Sequence, residues 1–411
     1  MKRFLLIGAG IGQIFLAKKI KRRGHFLVVI AYNSIPEVRN LADKFIHQDL
    51  FEYEQVLQIA KDEHVDAVVS DQHDIMAPLV AYIAEKMNLP GNTFDILNSY
   101  CNKNVFRDNC DKLGIPVPKH VRVDSVDVPE IFAKNKFPWM VKPADSQSSL
   151  GVKKVYSKEE CLKAVEQALS FSRTNNAIIE EFFEGRELVA EGFIWKGVYY
   201  NLGFADRKYF KIENSFVPSQ TVFPSLAAND VLKKVLAAES AMAKYVSPNF
   251  AIVHSEYLYN GVGEIKVVES ALRGGGVYIS SHLIPLYSGI DVNDVLLDAA
   301  EGLDVDMERI LKSKKERASA YVCFTLPEGV VESINGMENI TNRSSVSFAD
   351  FSMLNVGMKT LPMEHKGQRL GPIIVSAENR ALLEKEILEI QSELQIVVKD
   401  SLGNERSIIW N

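Results

Sequence analysis

The sequence predicts an α/β protein of three domains. An N-terminal parallel-sheet domain spans 1–97, a central domain with an antiparallel-sheet core and a small mobile lid (about 117–182) spans 98–310, and an α+β C-terminal domain spans 311–411. Three observations carry this. Short apolar runs alternate with helical segments over 1–95, as parallel strands with helices on their faces require. From 139 to 270 strand-like runs dominate, and two of them flank the turn Asn260-Gly261-Val262-Gly263, the signature of an antiparallel hairpin. Beyond 318, short strands mix with one strong helix at 379–394.

Taken in order, 4–7, 27–30 and 67–70 read as buried strands, with helical periodicity at 53–64 and 75–87; Asn88-Leu89-Pro90-Gly91 ends the second helix. A helix over 98–113 stops at Gly114-Ile115-Pro116-Val117-Pro118. Strands at 139–142 and 152–155 flank a polar loop, and a helix over 157–171 leads to a strand at 177–180. That unit is small enough to move as a body. Strands follow at 187–195, 197–205, 251–258 and 264–270, with a helix at 228–245 before the last two and a strand at 319–324 after them.

Composition narrows the function. A chain of 411 residues suits about two to three domains. Hydrophobic residues at 47% and charged residues at 24% exclude extensive disorder. A net charge of −6 without a basic block disfavours nucleic acid and membrane surfaces as partners. Cys101, Cys110, Cys161 and Cys323 form no C-x-x-C pair, and the eight histidines form no cluster, which disfavours zinc or disulfide scaffolds and suits a reducing compartment. The start superficially resembles a signal peptide, but Gly8, Gly10 and Gly12 followed by Lys18-Lys19 fit a strand, turn and charged helix instead. No apolar run reaches the ~18 residues of a membrane span, so a soluble, cytoplasmic protein is expected.

Four motifs carry chemistry. Gly8-Ala9-Gly10-Ile11-Gly12-Gln13 follows the first strand. A dinucleotide fingerprint needs a third glycine where Gln13 stands, and an acid near the end of the second strand, where Ala31-Tyr32-Asn33 stand. A tight βα turn is the better reading. Second, Lys142 ends an apolar strand before a polar loop running through Ser148-Ser149 to Gly151. Such a lysine can grip a polyphosphate as a point charge while the loop donates hydrogen bonds, although a surface hairpin would look alike in isolation. Third, Glu180-Glu181-Phe182-Phe183-Glu184-Gly185-Arg186-Glu187 could form an adenosine slot from rings, backbone groups and a carboxylate; an acidic turn competes. Fourth, His254-Ser255-Glu256 lies in one strand and Glu269-Ser270-Ala271-Leu272-Arg273-Gly274-Gly275-Gly276 ends the next. Two carboxylates on neighbouring strands can converge on Mg²⁺, which takes one or two carboxylates plus phosphates. Arg273 could clamp an anion beside them.

Together these motifs resemble the ATP-grasp superfamily of carboxylate–amine ligases over residues 1–310, and more loosely to the end. Asn102-Lys103 stands where that family commonly has Asp-Lys. The resemblance implies ATP, with Lys103 and Lys142 on its phosphates and Ser149 and Gly151 in the loop that closes over them. Glu180 with the backbone of Phe182 and Phe183 would hold adenine, and Glu187 the ribose. Glu256 and Glu269 would carry Mg²⁺, or alternatively Mn²⁺, and Arg273 would be catalytic. Ala271 replaces an Asn common in the family, which leaves the number of metal ions open. The E-x-x-x-R-x-G-G form looks more like L-amino-acid (dipeptide) and pyrrolysine-pathway ligases, with carbamoyl phosphate synthase and biotin carboxylase more distant. The implied fold adds a Rossmann-like N-terminal domain and the implied reaction joins a carboxylate, by preference an amino acid's, to an amine through an acylphosphate. Small-molecule acid and amine are then the partners, with no nucleic acid or membrane and a homodimer left open. Rivals are a biotin- or bicarbonate-dependent carboxylase, a non-catalytic nucleotide-binding module, and an oxidoreductase that Gln13 opposes.

Overall fold

The computed structural model describes residues 1–126, 136–146, 150–212, 217–276, 278–363 and 366–411. Four strands, β1 (Arg3–Ile7), β2 (Phe26–Ala31), β3 (Lys44–His47) and β4 (Ala67–Val69), form a wholly parallel sheet in the order β3-β2-β1-β4. β1, β2 and β4 are almost entirely buried because helices cover both faces. β3, half-exposed Lys-Phe-Ile-His at the edge, escapes a reading that looks for continuous apolar runs.

A second sheet is antiparallel: β5 (His120–Val123), β6 (Trp139–Pro143), β7 (Lys153–Val155) and β8 (Ala177–Glu181), in the order β5-β8-β6-β7. The helix Lys158–Phe171, capped by the Ser157 hydroxyl, packs Cys161, Ala164, Val165 and Ala168 onto Val123, Trp139, Val141 and Val155.

The largest sheet has eight strands. It runs from β9 (Arg186–Trp195), β10 (Val198–Tyr209), β11 (Pro218–Phe223), β12 (Phe250–Tyr259) and β13 (Ile265–Ala271) into β14 (Ala318–Phe324), β16 (Val346–Ala349) and β18 (Leu370–Ala377), in the order β13-β12-β9-β10-β11-β14-β18-β16. The C-terminal strands therefore continue the core sheet across the expected boundary at 311. Only β15 (Gly329–Asn335), β17 (Lys359–Thr360), β19 (Gln395–Lys399) and β20 (Glu405–Arg406) form a sheet of their own.

Period-two alternation sorts the core strands. Leu188, Ala190, Val253 and Tyr257 face the helix Asn229–Val246, where they join Val231, Val235 and Met242 in one apolar cluster. On the other face stand Glu187, Arg207, His254, Glu256 and Glu269, which line a cleft.

One expected helix is two. A single helix over 98–113 breaks at Asn102, extended at φ −86° and ψ 113°, between helices Phe94–Cys101 and Lys103–Leu113. The Asn102 side chain accepts from the N–H groups of Asn104 and Val105, an N-cap that propensity alone does not reveal. The break places Lys103 at the first position of the second helix, facing the cleft.

Candidate functional site

The cleft has a volume of about 1060 Å³ and is lined by Lys103, Lys142, Glu180, Phe182, Phe183, Glu187, Glu256, Glu269 and Arg273 together. Nine of the eleven residues singled out in the sequence thus meet in one place. Gly151 is not among the lining residues. It adopts φ +74°, and a Cβ there would press within 3 Å of Pro143 and Phe171, so its role is to let the loop return against β6 and its helix. Ser149 lies outside the described residues.

The first group of charges is a buried chain. Lys142 Nζ donates to Glu180 Oε2 at 2.5 Å, and Arg107 Nε donates to Glu180 Oε1 at 2.8 Å. Arg107, 1% exposed and not foreseen, also donates to the Val268 carbonyl on β13 at 2.7 Å. Burial alone would push the Glu180 carboxyl up, but Arg107 and Lys142 outweigh it and hold it at about 2. The Phe182 N–H donates to the Pro138 carbonyl, whereas the Phe183 N–H has no backbone acceptor among the described residues. Lys154 sits 3.6 Å over the Phe182 ring.

The depressed pKa gives a stability prediction. A lowered carboxylate contributes above its unfolded value, near 4.5, and loses that contribution as pH falls toward about 2. Glu180→Gln strands two buried cations and should cost about 3–5 kcal/mol at neutral pH. In parallel urea titrations the gap between wild type and Glu180→Gln should narrow only below pH 4.5 and close near 2. A gap that is small at pH 7 would show the triad to be energetically idle.

A second group lies where β9, β10, β12 and β13 cross the cleft. Glu187 and Arg207 are cross-strand partners, as are Glu256 and Glu269, so the carboxylates thirteen residues apart in sequence do face each other. Arg207 NH1 binds both Glu187, at 2.7 Å, and Glu256, while the Tyr209 hydroxyl donates to Glu187. His254 is held between Glu191 and Glu256. Burial opposes its charge, but the two carboxylates win and raise its pKa; Arg207 and His254 in turn keep Glu256 ionised against burial. Burial pushes Glu187 up against the pull of Arg207.

Glu269 is the freer carboxylate. Its side chain is 36% exposed, and its one ion pair among the described residues is with Lys103 Nζ at 3.7 Å, itself donating to the Ser146 carbonyl at 2.9 Å. Glu256 keeps Oε2, and Glu269 both oxygens, clear of hydrogen bonds among the described residues. No third His, Cys, Asp or Glu joins them in a ligand cluster there. Two hard oxygen donors opening on the cleft fit Mg²⁺, whose remaining positions phosphate oxygens and water would fill.

Arg273 is fixed from the opposite side. Its Nε and NH2 donate to the two Asp74 oxygens at 2.6 and 2.8 Å, and its NH1 to the Gly274 carbonyl at 2.9 Å. Asp71 ties the same corner together: it accepts from Gly274 N–H at 2.8 Å, Ser280 at 2.7 Å and Asn293 at 3.0 Å. The glycines are needed for this close approach, since a Cβ on Gly274 would lie 2.6 Å from Asp71 and one on Gly275 2.4 Å from Glu191. Asp71 and Asp74 were missed; a polar Ser70-Asp71-Gln72-His73-Asp74 directly after a parallel strand was the available signal. Gln13 explains the first turn: it is 2% exposed, accepts from Gly10 N–H at 3.0 Å and donates to the Asp71 carbonyl at 2.7 Å, filling the hollow of the glycine loop.

The architecture is the ATP-grasp fold. Residues 110–191 match the family model "D-ala D-ala ligase C-terminus". The chain is 23% identical over 278 residues to alanine–anticapsin ligase of Bacillus subtilis (strain 168), covering 62% of this chain and 58% of that protein. It is 28% identical over 254 residues to 3-methyl-D-ornithine–L-lysine ligase of Methanosarcina acetivorans, covering 58% and 63%. The structure of an L-amino acid ligase from Bacillus licheniformis superposes with a TM-score of 0.83 at 20% identity, covering 97% of this chain and 99% of that one. The chain shares the fold of that ligase, and its sequence is similar to those of carboxylate–amine ligases. It spans about six-tenths of the length of these two curated relatives. Among the described residues no helix is long and apolar enough to cross a membrane.

Proposed function

We propose that the protein is an ATP-dependent ligase that joins a carboxylate, by preference an amino acid's, to an amine through an acylphosphate, releasing ADP and phosphate. The observation that carries this is the pairing of Glu256 with Glu269 across two strands, in one cleft with Lys103, Lys142 and Arg273. Lys103 and Lys142 would bind the phosphates as point charges, each anchored by a bond to Ser146 or Glu180. The rings of Phe182 and Phe183, the Phe183 N–H and the Glu180 carboxylate would bound the adenine, and Glu187 would offer its remaining lone pairs to the ribose. Glu256 and Glu269 would hold Mg²⁺, which when bound neutralises charge on a transferring phosphoryl group. Arg273 would face the phosphoryl or acyl oxygens as negative charge moves onto them.

Product identity tests the reading. Purified protein with Mg-ATP and panels of amino-acid pairs should release ADP and phosphate in step with a new amide bond. AMP and pyrophosphate would sink the acylphosphate route. Release that needs bicarbonate and biotin in place of an amine would favour a carboxylase.

A further inference from the structure

One wall of the cleft is contributed by the C-terminal part of the chain, and it is cationic. Lys366 and Arg369, at and just after the short turn Lys366–Gln368, both line it. The other cations shielded within the cleft are matched by carboxylates: Lys103 by Glu269, Lys142 by Glu180, Arg207 by Glu187 and Glu256, Arg273 by Asp74, and Arg380 by Asp206. Arg186 and Lys208, also on the lining, are exposed to water. Lys366 and Arg369 are shielded yet have no carboxylate partner among the described residues.

Their geometry suits a receptor. Arg369 Nε donates to the Lys366 carbonyl at 3.1 Å and NH1 to the Pro218 carbonyl at 3.0 Å, which fixes the guanidinium with NH2 unbonded among the described residues. Lys366 adds an ammonium whose Nζ has no hydrogen bond among the described residues. Burial pushes Lys366 below its ordinary pKa, against Glu256, while Arg207 adds to the push. Glu256 and Glu269 act on Lys366 only from beyond ion-pair distance, so these two neighbouring cations can take up a further anion in a way that a neutral substrate would not exploit. A fixed fork beside a movable point charge matches the oxygens of a carboxylate or phosphate.

We propose that Lys366 and Arg369 form a subsite for an anionic group carried by one of the two substrates, distinct from the carboxylate that reacts. The ligase would then take a dicarboxylic or phosphorylated amino compound. The word substrate rests on the ligase reading; the binding does not, and it can be measured without turnover.

Calorimetry on the full chain with Mg²⁺ and a non-hydrolysable ATP analogue tests it, with L-glutamate and O-phospho-L-serine as anionic probes and L-glutamine and L-serine as their neutral counterparts. At least one anionic probe should bind about tenfold or more tighter than its neutral counterpart. Lys366→Met and Arg369→Gln should each erase that preference while thermal unfolding and analogue affinity stay at wild-type values. Glutamate preferred alone would mark a carboxylate group, and phosphoserine alone a phosphate; either supports the subsite. Equal binding of anionic and neutral probes, or no binding by any, overturns it, as does a preference that survives both substitutions. Weakened analogue binding in the variants also overturns it, by assigning these cations to the ATP phosphates. An analogue that fails to bind the wild type strikes the ligase reading instead, and titration without nucleotide then decides the subsite alone.

Discussion

Glu269→Gln should abolish turnover and leave the fold intact. The amide keeps the shape of the carboxylate but removes half of the charge that Glu256 and Glu269 present to a divalent cation. Metal stabilisation of a transferring phosphoryl group is worth several kcal/mol, so kcat should fall by about 10³-fold or more. The fold should survive because Glu269 is partly exposed and its ionic contact with Lys103, at 3.7 Å, is long. Glu256→Gln is a poorer probe of the same idea. Glu256 also neutralises Arg207 and His254, so its loss strands buried charge and should lower stability as well. Turnover measured across a Mg²⁺ titration, beside thermal unfolding, separates the two variants. A Glu269→Gln enzyme that turns over within a small factor of the wild type would remove this carboxylate from the metal site.

The reason Glu256 and Glu269 could be found from sequence is local. A strand, the turn Asn260-Gly261-Val262-Gly263 and a second strand fix a register within one hairpin, and the period of two then decides which side chains share a face. The same holds for the βα turn at Gln13 and the strand end at Lys142. What stayed hidden is non-local or sits in a break of pattern. Arg107 reaches Glu180 across 73 positions, and Asp74 reaches Arg273 across 199; no periodicity links such pairs. The split at Asn102 hides because both halves of 94–113 are helical and only a cap divides them. Likewise, β14 joins the core sheet through β11, almost a hundred residues earlier, and short apolar strands carry no mark of the sheet they enter. The cationic wall at Lys366 and Arg369 is likewise non-local, because the fold alone brings the tail onto the same cleft.

Arg273→Ala should cost on the order of 10²–10³ in kcat with the KM for ATP little changed. On the proposed reading, adenine, ribose and phosphate contacts would come from other residues, whereas the guanidinium lies close enough to Glu269 and Glu256 to feel both charges, beside the expected path of the phosphoryl group. The structure adds a partner to this prediction. Asp74 grips the Nε and NH2 edge of Arg273 while the Gly274 carbonyl accepts from NH1, so Asp74 would be a positioning residue acting through Arg273. Asp74→Asn keeps the size of the side chain but loses the bidentate clamp, and should lower kcat by about tenfold, less than the loss of the guanidinium itself. Because both changes remove the same function, the double variant Arg273→Ala/Asp74→Asn should be no slower than Arg273→Ala alone. Additive losses would mean that Asp74 acts by another route, for instance by holding the parallel-sheet region against the core. A rise confined to the KM of the acid substrate, with kcat kept, would make Arg273 an anchor for that substrate's carboxylate. If neither parameter moves in Arg273→Ala, the clamp on Asp74 is a structural tie between β4 and the glycine loop, and the catalytic role falls.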